Sequence, residues 1–200
     1  MHKTEGQSLL KKIVLVKNTT ILSINIGMRK NRQLQQGAVY HVTARINNKE
    51  MLLESKQMKI LFQKILVRAK KKYKFTIENF VIMGNHYHII IRPMKNESLS
   101  CIMQWIMSVF AMNANKKLSR TGHLWGERFY SRILRTLYQY LIVKTYIDEN
   151  PISAGLVHPY ELWMYSGKYQ KYIRSRKIID EEPVFVKLVY TKTISMALCF

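Results

Sequence analysis

The chain has 200 residues, 48% of them hydrophobic, and a formal net charge of +21 from 33 Lys and Arg against 12 Asp and Glu. That composition excludes a wholly disordered chain and allows one domain with a proper core plus extensions. The charge excess is more than a fold requires and favours a polyanion, nucleic acid before an anionic membrane surface, and no apolar run reaches the roughly 18 residues of a membrane span.

Residues 1–30 differ from the rest of the chain. Ile13-Val14-Leu15-Val16 and Ile21-Leu22-Ser23-Ile24 carry weak β-type patterning, and Lys11, Lys12 and Lys17 break the apolar runs a signal peptide would need. Met28 stands before the basic Arg29-Lys30-Asn31-Arg32 as an alternative start, so residues 1–27 are expected to be dispensable. The two cysteines, Cys101 and Cys199, form no disulfide or metal framework, which suits a cytoplasmic protein.

Ala38 to Arg45 is rich in β-branched and aromatic residues and predicts a strand, ended by Asn47-Asn48. A helix is expected over 55–72 with Ser55 as N-cap, because Met58, Leu61, Phe62, Ile65 and Ala69 repeat at helical spacing. Lys70-Lys71-Lys72 closes it, where cations suit the negative helix end. Phe75 to Met83 and His86 to Arg92 read as a hairpin joined by Gly84-Asn85, two residues that tolerate positive φ. A second helix is expected over 99–118, capped by Ser98, with Leu99, Ile102, Met103, Ile106, Val109 and Phe110 facing the core. A short strand at 131–134 and a third helix at 136–149, stopping before Pro151, complete the pattern. A basic, Tyr-rich tail comes next and ends on the apolar 194–200, and the final ~20 residues are expected to lie outside the core fold.

Strand–helix–strand–strand–helix–strand is the order of the split βαβ unit. The expected fold class is therefore α+β, a ferredoxin-like antiparallel sheet with helices on one face plus a C-terminal helix. Many unrelated functions use such a sheet, so fold alone selects none.

Two features carry chemistry. Side chains alternate along a strand, so His86 and His88 share a face about 6–7 Å apart. There they either grip one divalent metal or serve as half-buried polar residues. On the third helix Tyr146 and Asn150 are one turn apart and share a face. Tyr146 lies about 100° from Ile147 around the axis, at the edge of the apolar stripe of Leu137, Tyr140, Val143 and Ile147. There a hydroxyl is both held and exposed, though among 12 tyrosines one such position is by itself ordinary.

Four segments in order carry a resemblance. Gly37-Ala38-Val39-Tyr40-His41-Val42-Thr43-Ala44-Arg45, Met83-Gly84-Asn85-His86-Tyr87-His88, Gly122-His123-Leu124-Trp125-Gly126-Glu127-Arg128-Phe129 and Tyr146-Ile147-Asp148-Glu149-Asn150-Pro151 resemble the single-tyrosine transposases of small bacterial insertion sequences. These belong to the HUH endonuclease superfamily, and the REP-associated tyrosine transposases are the nearest in pattern. The resemblance spans roughly residues 30–165. It sets a HUH domain at 31–165 between an N-terminal extension at 1–30 and a basic tail at 166–200.

The resemblance implies a DNA transposase that cleaves and rejoins single-stranded DNA through a 5′-phosphotyrosine. Tyr146 would be the nucleophile. His86, His88 and Asn150 would be metal ligands, with Tyr87 as the bulky residue between the histidines. Mixed nitrogen and oxygen ligation suits Mg²⁺ or Mn²⁺. The third helix must then carry Tyr146 and Asn150 over the face bearing both imidazoles.

The implied partner is single-stranded DNA with hairpin-bearing ends, bound by one copy or a homodimer. Arg45, Lys70, Lys71, Lys72, Lys116, Lys117, Arg120, Arg128, Arg132 and Arg135 are candidate backbone contacts, unless they form a solvated face. Trp125, Phe129 and Tyr130 either stack on bases or pack inward. His41 and His123 read as structural or DNA-contacting rather than as ligands. The alternative function is a non-catalytic, degenerate protein that binds single-stranded DNA or RNA hairpins. Binding to a membrane surface by charge is weaker still, because no amphipathic anchor stands out.

Overall fold

The computed structural model describes residues 34–181. The N-terminal extension with its β-type patterning, the alternative start at Met28 and the apolar finish at 194–200 lie outside the described residues. The elements are β1 (Tyr40–Arg45), α1 (Lys56–Lys72), β2 (Phe75–Ile82), β3 (His86–Pro93), α2 (Leu99–Lys117), β4 (Tyr130–Ile133), α3 (Leu137–Ser153) and a short α4 (Gly167–Tyr172). The strands form one antiparallel sheet in the order β2-β3-β1-β4. The fold is α+β and ferredoxin-like, as the order of elements predicts.

Strand alternation sorts the side chains into two layers. Val42, Ala44, Tyr87, Ile89 and Ile91 point to one face, where Phe62, Ile65 and Leu66 of α1 and Ile102, Ile106 and Phe110 of α2 cover them. Val81, Met83 and Ile90 point to the other, where Tyr140 and Ile147 of α3 pack. A bulge at Glu78 keeps β2 in phase: Ile77 pairs with Ile91, then Asn79 with Ile90. The extra residue turns Phe80 and Ile82 to the α1/α2 side and Asn79 to the α3 side. Both long inner helices begin on a serine whose hydroxyl accepts a backbone N–H, Ser55 from Met58 at 3.2 Å and Ser98 from Cys101 at 3.4 Å.

Two local expectations are corrected. Neither Gly84 nor Asn85 has positive φ. A Cβ at Gly84 would meet only the tip of the Met51 side chain, which is exposed and can swing aside. Asn85 ties the turn to the next loop, its carbonyl accepting from Ile46 N at 2.8 Å and its Nδ2 donating to Lys49 O at 2.9 Å. Second, α3 does not stop before Pro151 but runs through it to Ser153. Pro151 cannot donate to the helix ladder, but its ring is buried in the last turn, where little helix remains to be disturbed.

Packing continues past residue 165. The outer edge of β2 is covered by Tyr165 O, which accepts from Ile82 N at 3.0 Å, by a bridge from Val81 to Ser166, and by Asp180, which bonds Ile77 through both backbone and side chain. Ile178 and Ile179 join the core.

Tyr87 is fully buried, its ring 4.8 Å from that of Phe62 and 5.6 Å from that of Trp125, and its hydroxyl has no hydrogen-bond partner. A buried orphan hydroxyl costs about 1–3 kcal/mol. Tyr87→Phe is therefore expected to stabilise the protein by about 1 kcal/mol, read as a higher midpoint in urea with an unchanged slope. A lower midpoint would mean that the hydroxyl is satisfied in solution.

Candidate active site

Because Tyr87 and Ile89 point into the core, His86 and His88 point to the α3 side of β3. Their rings meet nearly at right angles with centroids 5.1 Å apart. His88 is 6% exposed and His86 is half-buried. His86 Nδ1 lies 2.7 Å from Asn85 Oδ1, which can only accept. The ring proton therefore sits on Nδ1, and Nε2 keeps its lone pair. His88 Nδ1 lies 2.9 Å from His41 Nε2, while His88 Nε2 is buried without a hydrogen-bond partner.

All three imidazoles are held neutral. Burial, helped by Arg45, pushes His86 down to about 4. Burial, then His41, His86 and Arg45, pushes His88 down to about 2. Burial, helped by Arg132, pushes His41 down to about 4. A neutral imidazole is the form a metal ion binds, so no proton need leave before coordination. Two neutral imidazoles side by side, one with an orphaned buried nitrogen, fit a divalent cation. Among the described residues no three His, Cys, Asp or Glu side chains converge on a metal site. A cation here would have to complete its shell with donors other than a third such side chain beside His86 and His88.

α3 supplies the hydroxyl. Thr136 caps it by accepting from Gln139 N at 3.2 Å. Its rotation is fixed by Ile147 against the sheet and by Asp148, which accepts from the buried Asn79 Nδ2 at 2.9 Å and from Lys144 Nζ at 3.0 Å. Tyr146, two residues before Asp148, then stands edge-on to His88, centroids 5.2 Å apart, and 6.5 Å from His41. It remains 41% exposed. Asn150 lies one turn further on; its Nδ2 donates to the Tyr146 carbonyl at 3.3 Å, a bond that does not use its Oδ1. The structure thus brings Tyr146 to the imidazoles, whereas the Asn150 amide bonds to its own helix.

The cross-strand register aligns further candidates on this face. Arg45 stands opposite His86, Tyr130 stands opposite Thr43, which in turn pairs with His88, and Arg132 stands opposite His41. Tyr130 is 61% exposed. Arg128 and Arg135 flank β4 and are exposed.

Other candidates lie elsewhere. Lys70, Lys71 and Lys72 end α1 next to Phe75, which pairs with Pro93 at the opposite end of β3 from His86. At about 3.3 Å per residue the two ends are roughly 20 Å apart. Lys70 is engaged by Asp180 and by Ile178 O. Trp125 packs against Phe62, Tyr87 and Phe110 and donates to Met107 O at 2.9 Å, and Phe129 is buried, so both serve the core. Arg120 pairs with Glu50.

His41, Asn79 and Asp148 are the site residues that motif spacing does not assign. For His41 the available signal was its alternation with Val42 in a strand. Its partner depended on a register between strands far apart in sequence.

A family model described as "Transposase IS200 like" matches residues 35–150, more than half of the chain. Among solved structures, that of a REP-associated tyrosine transposase bound to a REP hairpin overlaps with a TM-score of 0.63 and 19% identity, covering 78% of this chain and 93% of that one. At that identity the likeness concerns the fold. A putative transposase from Deinococcus radiodurans overlaps with a TM-score of 0.44 and 12% identity, over 61% of this chain and 97% of that one. No curated protein matches significantly. Among the described residues no helix is long and apolar enough to cross a membrane.

Proposed function

The chain belongs to the family of IS200-like transposases, and from that premise we propose that it cleaves and rejoins single-stranded DNA with Tyr146 as the nucleophile. The observation that carries this reading is the edge-on placement of Tyr146 at 5.2 Å from His88, beside two neutral imidazoles. His86 and His88 would hold Mg²⁺ or Mn²⁺ through Nε2, and the side-chain oxygen of Asn150, Oδ1, would be the third protein donor. When bound, such an ion neutralises charge on a nonbridging phosphate oxygen and polarises the phosphorus.

The chain's own groups do the rest. The Tyr146 oxygen attacks phosphorus in line; the new Tyr–O–P bond replaces the P–O3′ bond, leaving a 5′-phosphotyrosine and a free 3′-hydroxyl. The phenolic proton leaves to solvent, which Tyr146 reaches through its exposed side, and the departing 3′-oxygen takes one up. Because one phosphodiester replaces another, a 3′-hydroxyl can reverse the step onto a different end with no nucleotide cofactor. Arg45 and Arg132 would hold the backbone across β1 and β4, and Tyr130 would stack on an unpaired base. Hairpin DNA is taken as the substrate class from the solved relative bound to a REP hairpin.

The test is to incubate the full chain with single-stranded hairpin DNA labelled at its 3′ end, the side that stays on the tyrosine, and Mn²⁺ or Mg²⁺, then denature. A labelled band above the protein's own mass, by the mass of the attached DNA fragment, is expected. Tight binding with no such band under either ion would overturn the proposal and leave the non-catalytic reading.

The register also sorts the basic residues. Arg45→Ala and Arg132→Ala are each expected to lower the slope of log affinity against log salt by about 0.7–1. Lys71→Ala, at the far end of the sheet, is expected to leave that slope unchanged. Equal effects from all three would mean that the DNA path is not the β1/β4 face.

A further inference from the structure

The geometry of β1 points to a role for His41 that rests on the metal reading of the site. We infer that His41 is a positioning residue: it accepts the His88 Nδ1 proton and so presents the His88 Nε2 lone pair to the cation.

His41 pairs with Ile90 across the β1/β3 ladder, and His88 pairs with Thr43. The two histidines are therefore diagonal neighbours on one face, within reach of each other. Their rings lie nearly coplanar, 19° apart, with Nε2 of His41 2.9 Å from Nδ1 of His88.

One proton occupies that contact, and its owner decides what His88 can do. If His41 donated, the single N–H of a neutral His88 would have to sit on Nε2. That nitrogen is buried and has no acceptor, so a donor there would bear the full desolvation cost. If His88 donates from Nδ1, its Nε2 is a bare lone pair, the form a metal ligand needs. Histidine ligands characteristically give their second N–H to a protein acceptor, which fixes both tautomer and ring angle.

His86 follows the same rule with a different partner, since its Nδ1 meets Asn85 Oδ1 at 2.7 Å. Each imidazole is thus held from behind, one by an amide oxygen from the β2/β3 turn and one by a ring from β1. His41 is not a third ligand through Nε2, because that atom is already turned to the back of His88.

Two readouts test this without assaying cleavage. In ¹⁵N-histidine NMR of the metal-free full chain, His88 is expected as the Nδ1–H tautomer; an Nε2–H tautomer overturns the inference and needs no variant. Mn²⁺ affinity, followed by electron paramagnetic resonance, is expected to fall about 10–100-fold in His41→Leu. His41→Gln, whose Oε1 stands where the acceptor nitrogen stood, should restore most of that loss, which a merely structural role would not predict. Wild-type affinity in a folded His41→Leu, or equal loss in both variants, overturns the role of His41. A wild-type chain that binds no Mn²⁺ overturns the metal reading itself and, with it, this inference.

Discussion

Tyr146→Phe is expected to abolish the covalent protein–DNA adduct, a loss on the order of 10⁴-fold or down to the detection limit, while hairpin affinity stays within about threefold. The substitution removes one oxygen. The ring that stands against His88 and His41 remains, so the surface offered to DNA is nearly unchanged. No bond to phosphorus can form from phenylalanine. The measurement is the yield of labelled adduct on a denaturing gel, with binding followed in parallel at fixed salt. Tyr138 and Tyr160 are the exposed tyrosines nearest in the chain. An adduct at normal yield, mapped by peptide mass spectrometry to either, would remove Tyr146 from its assigned role.

The second large effect is expected at the imidazoles. His86→Ala and His88→Ala should each reduce metal-dependent cleavage by more than about 100-fold, beyond the range for losing an outer partner of a ligand. The two differ in stability. His88 is almost wholly buried, so its loss leaves a gap under α3, whereas His86 is half-buried and its loss should be nearly silent in thermal melts. Agreement between them in cleavage, set against this difference in stability, separates a lost ligand from a lost fold. Wild-type activity that persists in chelator would refute the metal role.

Much of the scaffold was legible because it depends on local periods. The apolar stripe of α1 and the alternation of Tyr87, Ile89 and Ile91 each need only a few neighbouring residues to specify a buried face. The same alternation put His86 and His88 on one side, and the third helix does carry Tyr146 over that side. Asn150 keeps its amide bonded to its own helix, because one turn of separation fixes direction around the axis but not the rotamer. The locations of Lys70–Lys72 and Trp125 were not legible. Charge and aromaticity do not report which end or face of a sheet a residue occupies. The Asn79–Asp148 bond was hidden for a different reason: it exists only because the bulge at Glu78 turns Asn79 to the α3 side.

The covered edge of β2 has a consequence for self-association. Strand addition needs a row of free backbone N–H and C=O groups. On β2 several of these are already taken, by Tyr165, Ser166 and Asp180 of the same chain. Among the described residues nothing pairs with the outer side of β4, a strand only four residues long. A second copy growing the sheet would therefore dock beside Tyr130 and Arg132. Dimerisation by that route would use the backbone edge and leave the face open, so two copies of the proposed β1/β4 nucleic-acid face would lie side by side in one sheet.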